Sequence, residues 1–221
     1  MTDALSPGSH VAGYRLERLL GAGGMGEVYL ARDETLDRAV ALKLIAPALA
    51  DDERYRRRLL EESRRAAQLE HPAIVPVYGA GEDSGRLYLA MRYVAGGTLA
   101  DRLAAVGRME PALAAALLAP VAEALDAAHA VGLVHRDVKP ANVLLDRDRG
   151  MLADFGLAVR AASPDSLTRE DGLSGTLSYL APEQIEGDGV SGAPFCKVQA
   201  TWVSVTSPVP PARIASNFGA S

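Results

Sequence analysis

Residues 133–156 read LVHRDVKPANVLLDRDRGMLADFG, and the reading of this stretch decides the fold. It holds a His-Arg-Asp triplet at 135–137, Lys139 two residues beyond the Asp, Asn142 three beyond the Lys, and Asp154-Phe155-Gly156. Asp137 is a carboxylate that can take a proton, and Lys139 is a cation. Asn142 and Asp154 are oxygen donors suited to a hard metal ion. Three apolar runs separate these groups, and Leu133-Val134, Val143-Leu145 and Met151-Ala153 read as short strands. The polar side chains then project from fixed ends rather than from a floppy segment. Either tripeptide alone is an ordinary charged turn, but both in this order and spacing form a signature.

Toward the N-terminus, Val11 to Leu20 alternates apolar and polar residues as a strand does. Gly21, Gly23, Gly26 and Val28 follow in a G-x-G-x-x-G-x-V pattern. A dinucleotide fold needs a helix after such glycines. Here Val28 to Ala31 continues as a strand, so the loop reads as a hairpin folded over phosphates. The missing side chains would let backbone N–H groups approach an anion. No Gly-Lys-Ser/Thr follows, which argues against a Walker-type loop.

Asp33 to Asp37 makes a polar turn before a strand over Arg38 to Ile45, which contains Val40-Ala41-Leu42-Lys43. A Lys in an apolar strand needs a partner, because an unpaired buried ammonium is costly. The next segment supplies one. Asp52 to Leu69 reads as a helix with Tyr55, Leu59, Ala66 and Leu69 on one stripe, and Glu62 falls on that stripe. Glu61 points about 100° away. The six Arg residues 54, 56, 57, 58, 64 and 65 read as a solvated face rather than a nucleic-acid patch. His71-Pro72 stops the helix, and strands are expected over Ile74–Ala80 and Arg86–Val94. Thr98 and Asp101 are spaced as a capping box for a helix to Val106. Glu110 to Val131 reads as a helix with Pro111 in its first turn, a stop at Gly132 and a kink or division at Pro120. His129 on this helix reads as structural.

The totals narrow the classes. A chain of 221 residues can bury a real core, and 23 Lys plus Arg against 28 Asp plus Glu give a net charge of -5. That balance offers no global reason to expect nucleic acid as a partner. The single Cys, Cys196, excludes an intrachain disulfide and any multi-Cys zinc site, so a reducing, cytoplasmic setting is expected. The start MTDALSPGSH lacks the basic and apolar regions of a signal peptide. The most apolar segment, Pro111 to Ala122, reads as too short to span a bilayer, so no membrane segment is expected.

From about Val11 to Ile185 these motifs resemble a bacterial eukaryotic-like protein Ser/Thr kinase. The resemblance implies an α+β, two-lobed fold: a tail at 1–10, a small β-rich N-lobe over 11–92 and a partial, mostly helical C-lobe over 93–186. It implies transfer of the γ-phosphate of ATP to Ser/Thr hydroxyls of protein substrates, with Mg2+ as cofactor and a kinase–kinase dimer as a further partner class. In that frame Asp137 accepts the hydroxyl proton and Lys139 counters charge on the γ-phosphate. Asn142 and Asp154 hold magnesium, and a Lys43–Glu62 pair steadies the phosphates. Val28, Ala41 and Leu144 match the positions that sandwich adenine. Met91 matches the gatekeeper, and the backbone at Arg92 and Val94 the hinge, although Arg92 stands where an acidic residue is common.

The hydroxyl-rich stretch 157–179 is implied to be the activation loop, with Thr168 as the phosphorylation candidate facing Arg136. Thr176 would touch Asp137 and Lys139, and Ala181-Pro182-Glu183 closes the segment. Past Ile185 the pattern ends. Residues 187–221 hold only three charged residues, Asp188, Lys197 and Arg213, in a Ser/Pro/Gly/Ala/Val mixture that reads as a disordered tail. The expectation is therefore a kinase truncated after the Ala-Pro-Glu motif. A nucleotide-binding or regulatory fragment without turnover is the alternative.

Overall fold

Strand β4 (Arg38–Ile45) is buried without a break from Val40 to Ile45, Lys43 included. An unbroken buried run means that both faces of the sheet are covered. The computed structural model describes residues 5–155. They divide into two units: one runs to Gln68 and includes Val75–Val94, and the other comprises Leu69–Ile74 and the chain from Ala95 onward.

The first unit is a six-stranded antiparallel sheet. Its strands are β1 (His10–Val11), β2 (Tyr14–Gly23), β3 (Gly26–Asp33), β4, β5 (Val77–Asp83) and β6 (Arg86–Arg92), in the order β1-β2-β3-β4-β6-β5. Residues directly opposite one another share a face. Val28, Lys43 and Leu89 form one row across three strands, and Leu30, Ala41 and Met91 form the next. On the opposite face Leu16, Tyr29, Ala31, Val40, Leu42, Leu44 and Ala90 make a core cluster with Val11. The Tyr29 hydroxyl donates to Glu27 Oε2 at 2.7 Å. Burial first, and Glu27 second, push that phenol above its ordinary value.

Helix α1 (Pro47–Ala50) is too short to show periodicity, and the sequence reading passed over it. Helix α2 (Glu53–Ala67) begins where expected, because Asp52 accepts from the backbone of Arg54 at 2.8 Å and Tyr55 at 3.3 Å. It ends at Ala67 rather than Leu69, and Leu69 leaves with the second unit. Tyr55, Leu59, Ser63 and Ala66 are buried, and the helix packs on β5. The expected strand at Ile74 starts later, at Val77. The β5–β6 turn is Ser84-Gly85, both at positive φ (51° and 77°), as a two-residue hairpin with the strand twist requires. Gly81 accordingly lies inside the strand and not in the turn.

The second unit contains α3 (Leu99–Val106), α4 (Pro111–Ala130), a 3-10 turn (Pro140–Asn142) and the hairpin β7 (Val143–Asp146) with β8 (Arg149–Leu152). The capping box forms: Asp101 N donates to Thr98 Oγ1 at 3.0 Å, and Thr98 N to Asp101 Oδ2 at 3.0 Å. Helix α4 buries Ala114, Leu117, Leu118, Val121, Ala124, Leu125 and Ala128, and it packs on β8. Of the kink or division expected at Pro120, division does not occur, and the helix runs through it. The burial of the stripe on both sides of Pro120 outweighs the one backbone hydrogen bond that a proline removes.

At 20 residues and with a hydropathy of 1.4, α4 is long and apolar enough to cross a bilayer by length and composition, which corrects the reading of its apolar segment as too short. Its buried stripe is also what a core helix of this length shows. Leu133-Val134 is not a strand. Leu133 N donates to Ala128 O at 2.9 Å, so this run closes the end of α4, with Leu133 buried. Two glycines set the packing distances. A Cβ on Gly150 would lie 2.4 Å from Leu117 O, and one on Gly96 would lie 2.0 Å from Leu145 O.

Candidate active site

The second unit gathers the polar residues of the 133–155 stretch around one buried histidine. His135 is 1% exposed. Its Nδ1 accepts from Asp137 N at 3.2 Å, and its Nε2 lies 2.7 Å from Ala153 O. An Nδ1 that accepts leaves the proton on Nε2, so the ring is the neutral tautomer that donates to Ala153. The ring also meets Phe155 edge-on at 4.7 Å between centroids. One imidazole thus ties the backbone of the acid to the residues on either side of Asp154. Nothing in the triplet's spacing signals this role for His135.

Asn142, 7% exposed, closes the loop. Its Nδ2 donates to Asp137 O at 2.7 Å and to Asp137 Oδ2 at 2.9 Å. Two acceptors on one side fix the orientation of the amide, which leaves Oδ1 as the side that faces elsewhere. Lys139 Nζ lies 2.8 Å from the same Asp137 Oδ2. One carboxylate oxygen is therefore held by a cation and an amide, and Oδ1 is the oxygen left to meet a hydroxyl. Ala153 N donates to Asn142 O at 2.9 Å, which joins the start of the Asp-Phe-Gly segment to the amide residue. Arg136 and Asp154 both sit at positive φ, 65° and 62°. Non-glycine residues rarely adopt that backbone, and such strain concentrates at functional sites.

Among the described residues no group of three His, Cys, Asp or Glu side chains could hold a metal. A metal would therefore take two protein oxygens, the free Oδ1 of Asn142 and a carboxylate oxygen of Asp154. Magnesium is held in that way, by one or two protein ligands with phosphate and water completing its shell. The donor set fits.

In the first unit, Val28, Ala41, Lys43 and Met91 lie on one face of the sheet, as the pairing register dictates. Lys43 is 6% exposed. On α2, Glu62 is half-buried with Oε2 inaccessible, and Glu61 is exposed, so the inward and outward assignments of the two carboxylates are as the helix period requires. Arg92 N donates to Pro76 O at 2.9 Å, and Val94 is buried. Leu144 belongs to the second unit, on β7.

The glycines of the loop divide by cause. Gly23 and Gly26 pair across a two-residue turn, Gly24-Met25. A Cβ on Gly21 or Gly23 would meet nothing within 4 Å. Gly26 has φ +129°, and a Cβ there would lie 1.9 Å from Leu44 O. Its missing side chain serves the close approach of β3 to β4, which the phosphate-loop reading did not anticipate. His129 lies on α4 with a buried Nδ1, away from these groups in the chain. Thr168 and Thr176, the Ala-Pro-Glu motif and the 187–221 tail lie outside the described residues.

A family model described as the protein kinase domain matches residues 14–195, ten residues past the point where the resemblance read from the sequence stops. The chain is 48% identical over 197 residues to serine/threonine-protein kinase PknJ of Mycobacterium tuberculosis, which covers 87% of this chain and 33% of that protein. It is 46% identical over 193 residues to PknD of the same species, covering 86% and 29%. The chain thus spans about a third of the length of the curated relatives it matches. Among solved structures, the crystal structure of the M. tuberculosis PknI kinase domain is similar with a TM-score of 0.77 and 38% identity, over 94% of this chain and 79% of that one.

Proposed function

This chain belongs to the protein kinase domain family, and on that premise we propose that it transfers the γ-phosphoryl group of ATP to Ser or Thr hydroxyls of protein substrates. The observation that carries the reading is the state of Asp137. One of its oxygens is engaged by Lys139 and Asn142, and the other is left for an incoming alcohol. Phosphoryl transfer demands little covalent chemistry of a protein beyond alignment and charge neutralisation. Asp137 accepts the hydroxyl proton as the alcohol oxygen bonds to phosphorus and the bond to the β-phosphate oxygen breaks, releasing ADP. Lys139 balances negative charge beside that acid. Lys43, with Glu62 as its carboxylate, steadies the phosphates; Gly21 and Gly23 keep the phosphate loop clear of side chains, and Gly26 fixes the end of the loop through the close approach of β3 to β4. Val28, Ala41, Met91 and Leu144 supply apolar contact to adenine, and the backbone of Arg92 and Val94 supplies polar contact.

Asn142 and Asp154 would hold magnesium, which neutralises charge on the phosphates when bound. We assign Thr168 as the regulatory phosphorylation site that Arg136 reads, and Thr176 as the hydroxyl beside Asp137 and Lys139. A second copy of the chain is a further partner, as a kinase–kinase dimer, and the setting proposed is the cytoplasm. Transfer from labelled ATP to a generic basic protein acceptor and to the chain itself tests the reading, with Asp137→Asn as control. Loss of the base should lower the rate by about 10²–10⁴. Equal incorporation by both proteins would show that this chain does not catalyse the step.

A further inference from the structure

Helix α2 turns a row of arginines to solvent, on the side opposite its buried stripe. Arg54, Arg57, Arg58, Arg64 and Arg65 are exposed, with Glu61 alone among them, and the buried residues are Tyr55, Leu59, Ser63 and Ala66. At about 100° per residue the five arginines occupy roughly a third of the helix circumference, and they run about 16 Å along its axis. Arg56, off this face, pairs with Glu82 at 3.0 Å and Glu53 at 3.8 Å. Among the described residues the five exposed arginines make no ion pair, Glu61 included.

The row works against its own helix. Arg54 repels Arg57 and Arg58 at spacings of three and four, where like charges destabilise. Arg54 also lies in the first turn, at the positive end of the helix dipole, where a cation is disfavoured, whereas Arg64 and Arg65 in the last turn suit it. Glu61, three or four residues from Arg57, Arg58, Arg64 and Arg65, is the one carboxylate within the row, so five cations share a single anion with no ion pair among the described residues. An anionic partner would relieve both penalties at once, and guanidinium groups are shaped to take carboxylates two bonds at a time.

The ends of the row limit the size of that partner. Asp51, Asp52 and Glu53 are exposed at one end and Glu70 at the other. A membrane surface or a nucleic acid would overrun the row and meet these carboxylates on a chain of net charge -5. A short acidic segment of about five extended residues spans about 16 Å, the length of the row, and so stops short of the carboxylates at both ends and meets only Glu61 within it. We propose that the outer face of α2 is a docking site for a short acidic segment of a protein partner.

Fluorescence anisotropy of labelled pentaglutamate against the full chain tests this, with the double variants Arg57→Glu/Arg58→Glu and Arg57→Gln/Arg58→Gln. Phosphatidylserine vesicles and a twenty-nucleotide single strand serve as competitors. Pentaglutamate should bind, should weaken about tenfold or more in the Glu variant, and should weaken by a smaller factor in the Gln variant, which keeps the helix without the added repulsion. Binding should also fall as salt is raised. No detectable peptide binding, or binding unchanged in both variants, overturns the proposal. So does tighter binding of vesicles or DNA than of the peptide. Phosphotransfer is not measured, so the result stands whatever the outcome of the catalytic test.

Discussion

Gly26→Ala should destabilise the first unit far more than Gly23→Ala, although both glycines belong to the same motif. The magnitude follows from two separate costs. Gly26 sits at φ +129°, a region that side chains scarcely enter, and the backbone penalty there is on the order of 1–3 kcal/mol. The added Cβ would also lie 1.9 Å from Leu44 O and 2.9 Å from Ala46 N. Restoring ordinary contact requires β3 and β4 to part by about 1 Å or more at that end. The pairing of Gly26 with Ile45 and the 3.1 Å bond from Ala46 N to Met25 O lie at the point of separation. Losing one or two such bonds costs roughly 0.5–1.5 kcal/mol each. The sum is about 2–5 kcal/mol, which for a domain of this size lowers the melting temperature by on the order of 10 °C.

Gly23 is the matched control. It lies two residues into the same hairpin turn's flank, its φ is not in the positive range, and a Cβ there meets nothing within 4 Å. Gly23→Ala should therefore melt within about 2 °C of the unmodified chain, since substitutions in open space stay within about 0.5 kcal/mol. Thermal unfolding of the three proteins followed by circular dichroism decides the matter. Coincident melting curves for the two variants would refute the claim that Gly26 is held by the β3–β4 approach.

Three further outcomes rest on single side chains. Asn142→Asp should melt lower than Asn142→Ala, because it sets an anion against Asp137 Oδ2 where a donor now stands at 2.9 Å; calorimetry at neutral pH compares the two, and the reverse order would contradict the amide orientation given above. Thr98→Ala removes one partner of the α3 capping box and should cost about 0.5–2 kcal/mol in urea unfolding, whereas Thr98→Ser should cost little. Pro120→Ala returns an N–H to the middle of α4 and should stabilise the chain by about 1–3 kcal/mol, seen as a raised denaturation midpoint; an unchanged or lowered midpoint would mean that the proline ring itself packs usefully.

What the sequence disclosed and what it withheld separate along a physical line. Asp137, Lys139, Asn142 and Asp154 were legible because their chemistry is carried by residue type and spacing within a single loop, and local spacing survives folding. Glu62 and Glu61 were told apart for the same reason, since a helix fixes the angle between neighbours. The misreadings involve contacts between segments distant in the chain. Leu133 reads as a strand residue, but its backbone bonds to the end of α4 and its side chain is buried there without a strand partner. Pro120 looked like a break, but a helix held by a buried stripe on both sides does not need every backbone bond. Gly26, Gly96 and Gly150 are required by carbonyls of Leu44, Leu145 and Leu117, and no one-dimensional pattern names those partners. The role of His135 was hidden in the same way, since its Nε2 bond reaches eighteen residues along the chain to Ala153. A motif therefore says which reactive groups share a loop, and only the packing says which neighbours hold those groups still.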